Sequence, residues 1–187
     1  MKNKDVKIHL LAGGQLPERQ TEGAIGFDVR IRAIVSATEM DINNPHLRKT
    51  IFDFKKIPPE LKKRVTKKSN SLIYLLKPSE SVLVGIGFIT AMPFPMFYWV
   101  APRSGLASKY GITVTNAPGT VDPDYRGEAG VLVLNRSKKT FELSQGMRIA
   151  QIIFQYANIP TLNIINNYLD LPNTIRSAGG FGHTGLI

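Results

Sequence analysis

The stretch GITVTNAPGTVDPDYRGEAGVLVLN, Gly111 to Asn135, reads as strand, tight reversal and strand. Ile112, Val114 and Val121 lead in, and Val131, Leu132, Val133 and Leu134 lead out, all residue types that suit a pleated, half-buried surface. Asn116, Pro118 and Gly119 spell one turn. Pro123 and Asp124 spell a second, the fixed φ of Pro123 matching the second position of a type I turn. Asp122 precedes that proline, so its backbone is pushed to extended geometry and its carboxylate stands at the edge of the turn. An acid, an aromatic (Tyr125), a cation (Arg126) and an amide (Asn116) therefore crowd one hairpin. Alone, the stretch fits an ordinary β-hairpin with polar turns as well as it fits a site.

A chain of 187 residues suits one domain with a proper core. Its 16 glycines and 12 prolines favour a β-rich fold with many turns. There is no cysteine, which excludes disulfides, thiol catalysis and cysteine–zinc sites. No segment approaches transmembrane length, so a soluble, cytoplasmic protein is expected. The net charge of +10 is mostly local, because nine lysines and arginines face two acids between Arg48 and Lys68. A solvated basic face is the simple reading of that run, and contact with polyphosphate or nucleic acid is the less favoured one.

Outward from the central stretch, short strands recur. Val6–Leu11 reads as one. Gly26–Ile31 reads as another, with Phe27, Val29 and Ile31 on one face and Asp28 and Arg30 on the other. The segment 38–77 is polar and basic and reads as an insertion between core strands, with a short helix over Glu60–Val65 opened by Pro58-Pro59. Ser71–Leu76 and Ser81–Ala91 read as strands. Met92–Val100 is a turn followed by a very apolar strand that demands burial in a core or a subunit interface. Ala101–Gly111 suits one or two helical turns, and its Arg103, Ser104 hydroxyl and amides near Gly105 are the parts of an oxyanion cradle. In the strand Met147–Phe154, Gln151 is an amide among aliphatics and needs a partner. Many short strands and no long helix predict an all-β barrel or sandwich. Residues 157–187 read as a linker and a glycine-rich tail, either frayed or a clasp over a phosphorylated aromatic ligand.

No Walker loop, strand-linked GxGxxG, HExxH, spaced histidine cluster or GxSxG is present. What remains is one well-placed carboxylate, Asp122, among arginines, serine, amides and aromatics. That inventory fits water attack on a phosphate ester, where positioning and charge neutralisation carry the catalysis.

Five blocks in order resemble the trimeric-type dUTPase family: Ala24–Asp28, Pro102–Ala107, Asn116–Glu128, Arg148–Gln151, and Arg176 followed by Gly179–Gly182. The resemblance implies a distorted jelly-roll β-barrel over 1–156, with the basic, partly helical insertion 38–77 between the first two blocks. It implies a homotrimer with shared active sites and a tail, 157–187, that closes over them. The implied reaction is dUTP to dUMP and pyrophosphate, which limits uracil in DNA and supplies dUMP. Mg²⁺ is held by the triphosphate and water, with no metal ligand from the protein. By the same resemblance Asp122 activates the attacking water, while Asn116 and the hairpin backbone, Gly119 included, read uracil. Tyr125 packs on the deoxyribose. Arg103, Ser104, Gly105 and Gln151 hold phosphates and water, and Arg176 reaches the γ-phosphate. Phe181, beside Gly182, stacks on the base, and Asp28 and Arg148 shape and charge-balance the site. Phe27, Pro123, Met147 and Ser177-Ala178 depart from the common pattern without removing a needed group. The dCTP deaminase family is similar in fold, but its deaminating glutamate falls on Leu132, which can neither accept nor donate a proton. A regulatory protein using the same shell and the basic insertion is a third reading, which no loss of a catalytic group favours.

Overall fold

The computed structural model describes residues 5–180. In chain order these form β1 (Lys7–Leu10), β2 (Phe27–Arg30), β3 (Ala33–Asp41), β4 (Asn44–Phe52), β5 (Val65–Lys68), β6 (Ser71–Leu76) and β7 (Ser81–Gly85). There follow β8 (Phe88–Ala91), β9 (Met96–Pro102), the helix α1 (Ser104–Tyr110), β10 (Ile112–Val114), β11 (Gly119–Val121), β12 (Gly130–Asn135), β13 (Phe141–Ser144) and β14 (Arg148–Tyr156). All pairings are antiparallel. They give a five-stranded sheet (β10-β12-β7-β3-β4), a four-stranded sheet (β11-β9-β14-β2), a three-stranded sheet (β13-β6-β5) and the pair β1-β8. The architecture is all-β and of jelly-roll type. Among the described residues, no helix is long and apolar enough to cross a membrane.

Alternation builds the core. β12 buries Val131, Val133 and Asn135 and turns Leu132 and Leu134 outward. Asn135 is a buried polar residue with its amide fully used: Nδ2 donates to Leu76 O at 2.9 Å and Lys139 O at 2.8 Å, and Oδ1 accepts from the Ser137 amide and hydroxyl. It fastens the end of β12 to β6. From the four-stranded sheet, Tyr98, Val100 and Ile152 face the same core, while Trp99 of β9 faces outward.

The central stretch does not close as one hairpin. β10 pairs with β12, Val114 opposite Val133, but β11 between them pairs with β9, Val121 opposite Tyr98. The chain thus leaves the five-stranded sheet, adds a strand to the four-stranded sheet and returns. The second turn is as expected, with the Tyr125 amide donating to Asp122 O at 3.3 Å. Ser81–Ala91, expected as one strand, is two. It breaks at Ile86-Gly87, where Gly87 takes a φ of +79° and its carbonyl accepts from the Leu11 amide at 2.9 Å, which passes the chain from the β7 sheet to β1.

The segment 38–77 is more ordered than its composition suggests. β3 and β4 form a long hairpin, and Phe52, Phe54, Val65, Ile73 and Leu76 join the core. The helix expected over Glu60–Val65 is a 3-10 turn, Pro59–Leu61, because Val65 is drawn into β5 opposite Tyr74 and buried. Packing overrides local propensity there. The cations point outward. Lys49 pairs with Glu39 at 2.7 Å, Lys68 with Glu142 at 2.6 Å and Arg64 with Glu80, whose carboxyl is held below its usual range by that hydrogen bond. Lys55, Lys56, Lys62, Lys63 and Lys67 are exposed.

Residues from Asn158 onward form a second compact unit. In it a 3-10 turn, Tyr168–Asp170, is capped by the Asn167 side chain, which accepts from the Leu169 amide.

Candidate active site

β14 lies between β9 and β2, so Gln151 stands opposite Asp28 on one side and Ala101 on the other. Residues opposite one another share a face, which puts all three on the outer face of the four-stranded sheet. Gln151 Nε2 donates to Pro102 O at 3.0 Å, the partner its sequence context called for. Gly26 leaves room for that amide, since a Cβ there would stand 2.1 Å from Gln151 Oε1 and push it from its place.

Asp28 is buried between two cations. Arg103 Nε donates to Oδ1 at 3.0 Å and Arg148 Nη1 to Oδ2 at 3.2 Å. Arg103 Nη1 also donates to Arg148 O at 3.2 Å, so one carboxylate holds two arginines from β14 and the end of β9 in a fixed array. Two positive charges against one negative leave this array cationic. Ser104 and Gly105 open α1 directly after Arg103, and the first helical turn leaves their amides without intrahelical acceptors. Together with Gly26 and Gln151 these residues line a cavity of about 360 Å³. Its chemistry is that of an oxyanion or phosphate pocket.

Asp122 lies elsewhere. It lines a separate opening of about 500 Å³ with Met92, Phe94, Pro123, Asp124 and Arg126. Arg126 is engaged with backbone carbonyls, donating to Pro123 O at 2.7 Å and Tyr125 O at 3.0 Å. Among the described residues Asp122 has no ion-pair partner, and it is exposed. Tyr125 donates its hydroxyl to Glu128 O at 3.1 Å and folds over Gly127, where a Cβ would come 2.3 Å from that hydroxyl. Asn116 packs against Gly119, its Nδ2 3.1 Å from the position of a Cβ there. Arg176 belongs to the second unit, where its Nε donates to Gly179 O at 2.8 Å. Phe181 and Gly182 lie outside the described residues. A larger opening of about 730 Å³ is walled by Val6, Ile8, Phe27, Met96 and Phe154, and it is not where the charged groups converge.

Of the residues singled out in the sequence, one chain thus keeps Asp122 in one cavity and Asp28, Arg103, Ser104, Gly105 and Gln151 in another. Sequence reasoning missed Gln20, which lines the phosphate-type pocket and accepts from Arg148, in a loop steadied by Arg19 over the Phe27 ring at 5.9 Å. It also missed the ion pair between Arg32 and Glu128. Neither had a local signal, since each partner is over ninety residues away in sequence.

Residues 68–185 match the dUTPase family model. The chain belongs to the dUTPase family. A deoxyuridine 5'-triphosphate nucleotidohydrolase of Chlamydia trachomatis serovar L2 is 35% identical over 176 residues, 94% of each chain. One from Rhizobium rhizogenes is 45% identical over 112 residues, 59% of this chain and 69% of that relative. Among solved structures, a point mutant of the Staphylococcus bacteriophage 80alpha dUTPase with dUpNHpp is similar in fold, at TM-score 0.66 and 16% identity over 98% of this chain and 100% of that one. The dUTPase relationship covers the phosphate-type cavity and the Asp122 opening alike, since this chain and the chlamydial enzyme align almost end to end.

Proposed function

We propose that this chain is a dUTP diphosphatase whose active site is completed only between copies, the Asp122 opening of one chain meeting the Arg103–Ser104–Gln151 pocket of another. The observation that carries the reading is that, within one chain, Asp122 lines a different cavity from Arg103, Ser104 and Gln151. Further support comes from the sheet that bears the phosphate pocket. Its outer face continues from Gln151 to Ile153, paired with Trp99, and to Phe97, whose ring meets Trp99 edge-on at 5.6 Å. An aromatic face beside a catalytic row suits a homotrimer interface.

In this reading dUTP enters with Mg²⁺ chelated by its triphosphate. Among the described residues there is no group of three or more acidic or histidine side chains to hold a metal, and the pocket's donors are suited to phosphate oxygens instead. The bound cation supplies charge neutralisation on the phosphates. Asp122 takes a proton from water as the water oxygen attacks the α-phosphorus, and the α–β bridging oxygen leaves with pyrophosphate. Arg103, Ser104, Gly105 and Gln151 hold the phosphates and the water. Asn116 and the backbone around Gly119 read the uracil edge, and Tyr125 packs on the deoxyribose. Arg176, Phe181 and Gly182 close the site from the tail, and Asp28 and Arg148 keep Arg103 aimed. A cytoplasmic location and a solvated role for the basic 48–68 face belong to the same reading.

Leu132 argues against deamination. It stands opposite Leu83 in an aliphatic cross-strand pair and offers no proton acceptor. Incubation with dUTP, dCTP, dTTP and UTP, with product identification, tests the whole reading: pyrophosphate and dUMP from dUTP support it, and uracil nucleotides from dCTP overturn it. The interface has its own test. Trp99→Glu puts a charge on the aromatic face and is expected to yield monomers with activity reduced at least about tenfold. Sedimentation showing an unchanged oligomer with full activity would remove that face from the assembly.

A further inference from the structure

Every polar group of Glu128 is engaged. Its carboxylate is 1% exposed and accepts from Arg32 Nε at 2.7 Å, Arg32 Nη2 at 2.6 Å and the Gly87 amide at 2.9 Å. Its amide donates to His46 O at 3.2 Å, and its carbonyl accepts the Tyr125 hydroxyl at 3.1 Å. The cavity for the carboxylate exists because residue 85 is glycine, since a Cβ there would lie 2.5 Å from Oε1.

A buried ion pair is a poor device for stability, because desolvation offsets most of the attraction and a well-packed apolar pair serves as well. What a bidentate fork supplies is direction: two parallel bonds set the carboxylate's position and its plane. Here the fork acts on the residue that anchors Tyr125. The phenol hangs from the Glu128 carbonyl, its ring lies over Gly127, and its amide donates to Asp122 O at 3.3 Å. A continuous set of bonds runs from Arg32 through Glu128 and Tyr125 to Asp122.

We propose that Arg32 and Glu128 are positioning residues that hold the Tyr125 ring in place and thereby set the discrimination between deoxyribose and ribose nucleotides. The inference rests on the reading of Tyr125 as the sugar-facing residue. It assigns sugar selectivity to an ion pair whose carboxylate is buried and whose guanidinium is largely so.

The experiment compares kcat and KM for dUTP and UTP in the full-length wild type, Glu128→Gln, Arg32→Lys and Tyr125→Ala, below every variant's thermal midpoint. Glu128→Gln keeps the volume but weakens the fork, and Arg32→Lys keeps the charge but removes it. Both are expected to lower the dUTP-to-UTP ratio of kcat/KM by about tenfold or more, equivalent to about 1.4 kcal/mol. A merely structural pair would lower the midpoint and the active fraction, scaling both nucleotides equally. An unchanged ratio in the two pair variants, with a lowered ratio in Tyr125→Ala, overturns the inference alone. An unchanged ratio in Tyr125→Ala overturns the reading of Tyr125 and the inference with it. Should Glu128→Gln fail to fold, Arg32→Lys decides.

Discussion

Asp122→Asn is expected to reduce kcat for dUTP at least about a hundredfold while nucleotide binding persists. The amide has the carboxylate's shape but cannot take a proton from water. Asp122 sits exposed after β11, its backbone set by Pro123 and by the Tyr125 amide bonded to its carbonyl. The nearest cation in sequence, Arg126, is turned to the carbonyls of Pro123 and Tyr125. Substitution therefore breaks no ion pair among the described residues, and the stability change should stay within about 0.5 kcal/mol. Pyrophosphate release measured beside equilibrium binding separates the two effects. Near-normal turnover would reject Asp122 as the base.

Gly14→Ala should have the largest effect on stability of any single methyl added to the barrel. A Cβ there would lie 1.9 Å from Gly87 O and 2.7 Å from Gly87 C, and these are backbone atoms that no rotamer change moves aside. Gly87 is itself held, with φ at +79° and its carbonyl bonded to the Leu11 amide at 2.9 Å. The clash must open the junction where the chain passes from β7 to β8. A cost of about 3 kcal/mol follows from overpacking of this kind. For a chain of this size that lowers the melting temperature by about 6–12 °C. Gly23→Ala is the control, because a Cβ there meets nothing within 4 Å. Calorimetry giving the two variants equal midpoints would show that the Gly14–Gly87 approach is not as close as described.

Much of the fold is legible in local pattern. Ser71–Leu76 forms β6 over the expected residues, and Asp28 does fall on the face opposite Phe27. The charged centre is legible only as separate pieces. Asp28, Arg103 and Arg148 sit in three distant blocks, and nothing in any block says that one carboxylate serves both arginines. Val65 misleads because its neighbours are charged and helix-forming, whereas its own side chain is claimed by the core.

By itself the sequence determined the all-β class, the residue blocks that mark a dUTPase, and the absence of an acid at Leu132. The class follows from composition and two-residue periodicity, and the blocks and Leu132 take their meaning from resemblance to known families, all of it carried by neighbours along the chain. Tertiary structure decided that Gly111–Asn135 spans two sheets, since β11 chose β9 over its own flanking strands. It also decided where Gly14 and Gly85 are required, because close approach depends on what packs from far away. Burial is written into the pattern of one strand, but pairing is a competition among all of them, settled by how side chains from distant segments fill the same core.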